Sequence, residues 1–229
     1  MSATIIYMIA IFATLFVVFA ILVFAEMLRN RKILSDENLR KFVHIGVGVF
    51  VSTWPFYLSI LTIEIFCLAF LAVVLASRYF KIFRSIHSID RKTWGDILFP
   101  IGIGLTVMLA VEPWIFTVAM LHLSLADGIA AVVGKKYKRT RTYTLLNQTK
   151  STTGTLAFWL VSVLIVGALI LVQYQNLASV ALPLIIWLPL ITTLIENAAP
   201  QGTDNLLVPF TVTVLLNTMF LYGSLVAMV

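Results

Sequence analysis

Long uninterrupted apolar runs are the feature that most constrains how this chain can fold. They occupy about 3–25, 42–56, 57–76, 97–111, 113–133, 154–173, 177–195 and 206–229. A helix of about 20 apolar residues crosses a bilayer, and lipid requires its backbone hydrogen bonds to close within the segment. The pattern predicts an all-α, polytopic membrane bundle of seven or eight transmembrane helices, with eight preferred. The second and fourth runs are short for a full span and are compatible with tilted, broken or re-entrant helices.

Composition supports a membrane protein and excludes several soluble classes. Of the 229 residues, 61% are hydrophobic and 11% are charged, and the mean hydropathy is +1.03. Because a soluble domain carries roughly 25% charged residues, a soluble enzyme, a disordered chain and a nucleic-acid-binding module are excluded. The first run lacks a basic start and is too long for a signal-peptide core, which favours a retained helix. We expect one integral membrane domain over residues 1–229.

The basic residues predict the orientation of the bundle. All 16 Lys and Arg residues lie in three stretches, at 29–41, 78–92 and 135–150, after the first, third and fifth runs. With eight helices these loops share one side, which the positive-inside rule places in the cytoplasm. Both termini are then expected outside, and the loop near 197–205 inside. The middle loop, about 77–96, also has the spacing of an amphipathic surface helix.

Asp127 is an acid at a depth where lipid makes charge costly, so it needs a partner or a function. Gly128 follows it and Gly134 lies further along, and such small residues let another helix or a ligand approach closely. The alternative is a helix-packing motif in which a nearby lysine neutralises Asp127.

A second polar cluster opens the sixth helix. Its candidates for contacts to phosphate are Asn147, Lys150, Ser151, Thr152 and Thr153. A helix N-terminus offers free N–H groups to an anion, and Gly154 lets the backbone come near. The alternative is an ordinary Ser/Thr N-cap beside a topology-setting lysine.

The third cluster, 196–209, contains Glu196, Asp204 and Asn205. These acids have no basic neighbours nearby in sequence, so we expect them to be free to hold a divalent cation through oxygen. The alternative is a solvated loop in which Asp204 caps the eighth helix.

The fourth cluster, 40–48, opens the second helix with Arg40, Lys41 and His44. Its alternative is a snorkelling basic pair beside a partly buried histidine. Under the predicted topology all four clusters lie at one membrane face. Carboxylates, cations and a helix N-terminus are together the components of metal-assisted phosphoryl transfer.

Four stretches, in order, resemble the membrane-bound polyprenol kinases. They are RKFVH (40–44), ADGIAAVVGKKY (126–137), KSTTGT (150–155) and ENAAPQGTDNLLVP (196–209). This family includes dolichol kinase, phytol kinase and CTP-dependent diacylglycerol kinase, and is distantly related to phosphatidate cytidylyltransferase. The resemblance implies a membrane enzyme that uses CTP, or another nucleoside triphosphate, to phosphorylate a lipid alcohol. Lys138 stands where family members often have a second glycine, which bears on nucleotide preference.

The resemblance and the residue chemistry together give the expected site. Asp127 and Asp204, with Glu196 and Asn205, are expected to hold Mg²⁺ or Mn²⁺; alternatively Asp127 accepts the hydroxyl proton. Asp127, Lys150 and Asp204 are the expected catalytic residues. The expected nucleotide contacts are Arg40, Lys41, His44, Gly128, Gly134, Lys135, Asn147, Lys150, Ser151, Thr153 and Gly154.

The expected reaction transfers the γ-phosphoryl group of CTP to the hydroxyl of a membrane isoprenoid alcohol. The partners are therefore a lipid alcohol, a nucleoside triphosphate and membrane lipids, without nucleic acid, in the cell membrane of a prokaryote or the endoplasmic reticulum of a eukaryote. Three alternatives stay open: a CDP-lipid-forming cytidylyltransferase, a small transporter with Glu64 and Asp127 as ion sites, and a non-catalytic scaffold. We expect Glu64, near the middle of the third helix, to be protonated or hydrogen-bonded inside the bundle.

Overall fold

The computed structural model describes residues 2–80, 93–137, 141–146, 148–173 and 177–226. Within these ranges the chain forms eight helices and one short β-hairpin. The helices are α1 (Ala3–Asn30), α2 (Asp36–Val51), α3 (Ile60–Phe80), α4 (Gly95–Leu109), α5 (Pro113–Lys136), α6 (Thr152–Val172), α7 (Ala181–Ala198) and α8 (Asp204–Val226). The hairpin pairs β1 (Thr142–Leu145) with β2 (Gln148–Ser151) in antiparallel register.

Six of these helices, α1, α3, α5, α6, α7 and α8, are long and apolar enough to cross a membrane. The helices α2 and α4 have 16 and 15 residues. At about 1.5 Å per residue they reach about 24 and 22 Å, less than the roughly 30 Å hydrocarbon layer. They correspond to the two runs that were expected to be short. The prediction of an all-α membrane bundle is confirmed, while the count of eight full spans stays a prediction.

The helix α5 lies at the centre of the bundle. About 67% of its apolar window is buried, compared with 17% for α1 and 22% for α3. A polar chain crosses the interior here: His122 Nε2 lies 2.8 Å from Ser162 Oγ, which lies 3.3 Å from Thr192 Oγ1. These contacts satisfy polar groups of α5, α6 and α7 that lipid cannot satisfy.

At one end of the bundle, which we call the basic end, the end of one helix contacts the start of another. Arg78, near the end of α3, pairs with Asp96 at the start of α4. Lys150, just before α6, pairs with Glu196 near the end of α7. Among the described residues, every Lys and Arg lies toward this end, on the last turns, first turns and loops of the helices.

The opposite end, which we call the far end, shows the complementary contacts. The Tyr7 hydroxyl near the start of α1 donates to Ser59 Oγ, just before α3, over 3.0 Å. Asn217 Nδ2, late in α8, donates to the carbonyl of Leu109 at the end of α4 over 2.7 Å. Successive helices, including the two short ones, therefore alternate in direction. The start of α1 and the late part of α8 both lie at the far end.

Glu64 lies elsewhere than expected. It is the fifth residue of α3, in the first turns at the far end, rather than near the middle of the helix. Its Oε1 is buried and has no hydrogen-bond partner among the described residues, and its carboxylate packs beside Gly104 of α4. The proposed amphipathic helix over 77–96 lies largely at 81–92, outside the described residues.

Candidate functional site

A cleft of about 880 Å³ opens at the basic end. It is walled by the starts of α2 and α6, the ends of α5 and α7, the hairpin, and the segment that leads into α8. Eleven of the residues expected from the sequence line it: Arg40, Lys41, Asp127, Gly134, Lys135, Lys150, Ser151, Gly154, Glu196, Asp204 and Asn205. The alternation of helix directions thus brings residues as far apart in sequence as Arg40 and Asn205 into one cavity.

Asp127 is paired across the bundle with the second helix. Lys41 Nζ donates to Asp127 Oδ2 over 2.6 Å, and both side chains are 9% exposed. His44, one turn later on α2, places Nε2 3.4 Å from the same oxygen and 2.9 Å from the carbonyl of Leu123. The lysine that neutralises Asp127 therefore comes from the RKFVH stretch, and one carboxylate oxygen, Oδ1, is left for another ligand.

The local structure of α5 presents Asp127 to the cleft. Residues His122–Ala126 form a π turn directly before it. A π turn inserts an extra residue into an α-helix and often marks a functional position. Ser124 in this turn packs against Gly48 of α2, where an added Cβ would lie only 2.3 Å from the serine Cβ. The close contact holds α2 and α5 together, and with them the Lys41–Asp127 pair.

Lys150 and Glu196 form a second pair. Lys150 Nζ donates to Glu196 Oε1 over 2.5 Å and to the Glu196 carbonyl over 3.0 Å. Burial alone would lower the pKa of the Lys150 ammonium, but the carboxylates of Glu196, Asp204 and Asp127 together outweigh burial, and the net pKa is raised. The expectation that the acids of 196–209 lack basic partners was wrong for Glu196, because Lys150 lies 46 residues away in sequence but beside it in the fold.

The segment that carries Asp204 and Asn205 is held by the start of α4. Asn205 Nδ2 donates to the carbonyl of Gly95 over 2.6 Å, and Trp94 N donates to the carbonyl of Gln201 over 2.9 Å. Gly202 has φ +91°, and a Cβ there would lie 2.5 Å from Gly95 N. Only glycine fits that position without strain.

Arg78, near the end of α3, binds the residues at the start of α4 that hold the Asp204–Asn205 segment. Its guanidinium donates to both carboxylate oxygens of Asp96 and to the carbonyl of Thr93, the latter over 2.7 Å. It also lies over the Trp94 ring, 5.8 Å from the centroid. Arg78, Thr93 and Asp96 were not among the residues expected in the site. The signal in the sequence was a pair of opposite charges, Arg78 and Asp96, that flank the same loop.

The start of α6 takes the form of an N-cap. Ser151 Oγ accepts a hydrogen bond from Gly154 N over 3.1 Å, which is the capping alternative stated above. Thr153 Oγ1 lies 3.5 Å from Ser151 Oγ. Gly134 and Gly154 let α5 and α6 approach, since a Cβ on Gly134 would lie 3.4 Å from the Gly154 Cα. Ser151 and both glycines therefore shape the cleft wall and also line it.

The remaining residues singled out from the sequence lie at the rim of the cleft, beside it, or outside the described chain. Gly128 packs against Ile45, where a Cβ would lie 2.2 Å from its Cγ1, so it serves helix packing. Lys135 sits at the rim and donates to Asn38 Oδ1 over 3.1 Å. Asn147 and Lys138 fall outside the described residues.

The positions of Glu64 and Asp127 argue against the transporter alternative, in which both would be ion sites. Glu64 lies at the far end of the bundle, whereas Asp127 lies in the half of α5 that faces the basic end. The two carboxylates therefore do not form one ion site.

The donor chemistry fits a magnesium ion held jointly with a substrate. The carboxylates of Asp127, Glu196 and Asp204 are close enough to interact electrostatically. No three His, Cys, Asp or Glu side chains of the described residues form a metal-binding group by themselves. Mg²⁺ is usually bound by one or two carboxylates plus substrate phosphates and water, so two carboxylates in a polar cleft suit it.

Comparison with known proteins gives one similar curated protein. The chain is 27% identical to phytol kinase of Synechocystis sp. (strain ATCC 27184 / PCC 6803 / Kazusa) over 199 residues, 83% of this chain and 82% of that protein. The chain is thus similar to a phytol kinase along most of both sequences. The resemblance to the polyprenol kinases that the sequence suggested is thereby confirmed. No family model matches the chain, and no solved structure matches it.

Proposed function

We propose that the chain is a lipid kinase that transfers the γ-phosphoryl group of CTP to the hydroxyl of a membrane isoprenoid alcohol. The observation that carries the proposal is the cleft, which joins two lysine–carboxylate pairs to further polar groups at one end of a membrane bundle. Similarity to phytol kinase over most of both chains supports an isoprenoid alcohol as acceptor. CTP as donor rests on the resemblance to the polyprenol kinases.

The cleft offers cations in the number that a triphosphate needs. Arg40, Lys41, Lys135 and Lys150 all line it, and a triphosphate brings about four negative charges. Lys41 and Lys150 each hold a carboxylate, and we propose that both turn toward phosphate oxygens when the nucleotide binds. The exchange keeps every buried charge paired, which avoids the large cost of an isolated buried ion.

Asp127 and Asp204 are proposed to hold Mg²⁺ or Mn²⁺, with Glu196 and Asn205 completing the shell. When bound, the ion neutralises charge on the phosphates as the reaction proceeds. Asn205 donates through Nδ2 to Gly95, so its Oδ1 is the atom left to act as a ligand. His44, whose Nε2 lies 3.4 Å from Asp127 Oδ2, helps to position the Asp127 carboxylate.

The chemical step forms a bond between the alcohol oxygen and the γ-phosphorus and breaks the bond to the β-phosphate oxygen, releasing CDP. The hydroxyl proton leaves to water in the cleft when Asp127 holds the metal ion, and passes to Asp127 in the alternative in which that residue acts as the base. Phosphoryl transfer asks for little covalent chemistry from the protein. Positioning and charge neutralisation by Lys41, Lys150 and the carboxylates therefore carry the rate.

We propose eight spans, with the cleft at the cytoplasmic face and both termini outside. The alternation of helix directions supports this arrangement, because the start of α1 and the late part of α8 share the far end. The Lys and Arg residues collect at the other end, which the positive-inside rule assigns to the cytoplasm. The nucleotide then arrives from cytoplasmic water and the alcohol from the bilayer, in a prokaryotic cell membrane or in the endoplasmic reticulum of a eukaryote.

The test is product analysis with the purified full chain. We would incubate it with Mg²⁺, CTP and a panel of phytol, farnesol, geranylgeraniol, undecaprenol, dolichol and diacylglycerol, and identify lipid products by mass. A lipid monophosphate with equimolar CDP supports the proposal. The cytidylyltransferase alternative needs a lipid phosphate as acceptor, so phosphatidate is added to the panel. Formation of a CDP-lipid from it with release of pyrophosphate would support that alternative instead. Repeating the panel with ATP tests the donor.

A further inference from the structure

The amide of Asn197 is held in one orientation by two hydroxyl groups. The Tyr143 hydroxyl donates to Asn197 Oδ1 over 2.8 Å, and Thr155 Oγ1 donates to the same oxygen over 3.0 Å. The two hydroxyls are themselves 2.5 Å apart. Three elements meet here, since Tyr143 belongs to β1, Thr155 to α6 and Asn197 to α7.

This arrangement leaves the amide nitrogen of Asn197, Nδ2, without a hydrogen-bond partner among the described residues. Asn197 is 5% exposed and lines the cleft. Its Nδ2 makes no hydrogen bond within the described part of the chain, and it is not among the fully enclosed polar atoms that lack a partner. A donor in this position reaches its hydrogen-bond partner only in the cleft. Burying a polar group in this way is costly unless a partner is supplied.

The surroundings identify that partner as an anion. Asn197 follows Glu196, whose carbonyl and carboxylate both bind Lys150 Nζ, so an amide donor and an ammonium face the same part of the cleft. Because Asn197 Oδ1 faces the two hydroxyls, the nitrogen is the atom of the Asn197 amide that faces the cleft. An oxygen of a phosphate accepts hydrogen bonds from both an ammonium and an amide, and it is the acceptor that the proposed reaction brings to this cleft.

We propose that Asn197 Nδ2 donates a hydrogen bond to a phosphate oxygen of the nucleotide bound at Lys150, with Tyr143 and Thr155 as positioning residues that fix the amide. This inference rests on the proposed function and adds a binding residue to it. It also gives the hairpin a role, because β1 supplies the hydroxyl of Tyr143 and β2 supplies Lys150.

The test compares Asn197→Asp with the wild-type full chain in two measurements, both with Mg²⁺. The first is binding of labelled CTP, and the second is inhibition of that binding by inorganic tripolyphosphate. The substitution preserves size and the oxygen that accepts from Tyr143 and Thr155, but replaces the donor. Loss of a hydrogen bond to a charged group predicts affinities for CTP and for tripolyphosphate that fall together by about 10- to 100-fold. Asn217→Asp, the same change at the far end, is the matched control and leaves both affinities unchanged.

The positioning role is tested by Tyr143→Phe/Thr155→Val, which keeps Asn197 but frees its amide to rotate. We expect KM for CTP to rise several-fold with kcat little changed, and Thr155→Ser, which keeps the hydroxyl, to restore wild-type KM in the Tyr143→Phe background to within about two-fold. This pair also carries the test if Asn197→Asp fails to fold.

Several results would overturn the inference. Wild-type affinity in Asn197→Asp would show that Nδ2 binds nothing, and tighter Mg²⁺ binding in that variant would show that an oxygen faces the cleft. Weaker CTP binding with unchanged tripolyphosphate inhibition would move the contact off the phosphates. A wild-type chain that binds neither CTP nor tripolyphosphate would refute the proposed function as well, whereas the other outcomes refute this inference alone.

Discussion

The Lys41–Asp127 pair makes the most informative perturbation, because it joins the folding of the bundle to the chemistry of the cleft. Asp127→Asn would remove the carboxylate proposed to hold Mg²⁺. It would also leave Lys41 charged and almost fully buried, with its former partner neutral. We therefore expect Asp127→Asn to lose turnover and to lose stability. Activity alone cannot separate these two effects, so the pair needs a double-mutant cycle.

The expected size follows from the burial of the pair. Both side chains are 9% exposed and their charged atoms are 2.6 Å apart. Removing one partner of a buried ion pair costs about 3–5 kcal/mol. Because the cleft beside the pair admits water, we expect the lower end of that range, about 3 kcal/mol, for Asp127→Asn and for Lys41→Met. Removing both charges together leaves no isolated ion, so the double variant should be no less stable than either single one.

The assay is equilibrium unfolding of the four proteins in mixed micelles. A coupling free energy of at least about 3 kcal/mol between positions 41 and 127 is expected. Glu37→Gln provides the matched control, because the Glu37–Arg40 pair is 39% and 26% exposed and such pairs contribute at most about 1 kcal/mol. Additive effects of Lys41→Met and Asp127→Asn would refute the reasoning, since they would show that the two side chains do not interact.

Four further predictions follow from the same contacts. Arg78→Met should lower kcat about ten-fold with little change in KM, because it loosens the support of Asn205; steady-state kinetics measure this, with partial rescue by Arg78→Lys, and an unchanged kcat would contradict it. Gly102→Ala should destabilise the bundle by about 1–3 kcal/mol, since its Cβ would lie 2.2 Å from the Asn205 carbonyl oxygen; wild-type unfolding would disprove that contact. The pKa of Lys150 is raised in the fold, so its contribution to stability and to binding is complete below its unfolded pKa of about 10.4 and is lost only as the pH rises through the higher folded value. Deprotonation of Lys150 should therefore not weaken CTP binding between about pH 7 and 9. Binding of CTP to wild type and to Lys150→Met at both pH values checks this. A cysteine at position 2 in a Cys67→Ser background should react with an impermeant reagent only from outside the cell, and labelling from the cytoplasm would reverse the proposed topology.

The fold was largely predictable because lipid leaves the backbone few choices. Eight apolar runs correspond to eight helices, and the two short runs correspond to α2 and α4. Helix ends were less predictable: α5 continues to Lys136, past the expected end of its apolar run, since its last turns face the polar cleft rather than lipid. The π turn before Asp127 also has no apolar signature, because it changes the rotation of the helix and not its composition.

The members of the cleft were more predictable than their partners. Residue chemistry and the four motif stretches selected Asp127, Lys150, Glu196 and Asp204, which do line one cavity. The pairing of Lys150 with Glu196 depends on the packing of α6 against α7, which sequence neighbours do not reveal. For the same reason Glu196 was expected to be free to hold a metal ion, although it is paired with Lys150.

The hairpin was missed for a different reason. Residues 142–151 were divided between a basic loop and the start of the sixth helix, although Thr142, Tyr143 and Thr144 have the β-branched and aromatic character of a strand. A strand of four residues carries too little apolar alternation to stand out beside transmembrane helices. Tyr143 and its contact with Asn197 therefore became visible only in the fold.

The most direct test of the central claim is the fate of two labels of CTP. The purified chain would be incubated with Mg²⁺ and phytol, once with CTP labelled at the γ-phosphorus and once with CTP labelled at the α-phosphorus. A phosphoryl transferase moves the γ label into the lipid phase and leaves the α label in water as CDP. Transfer of the α label to the lipid, or of neither label by folded protein across the alcohol panel, would contradict the account.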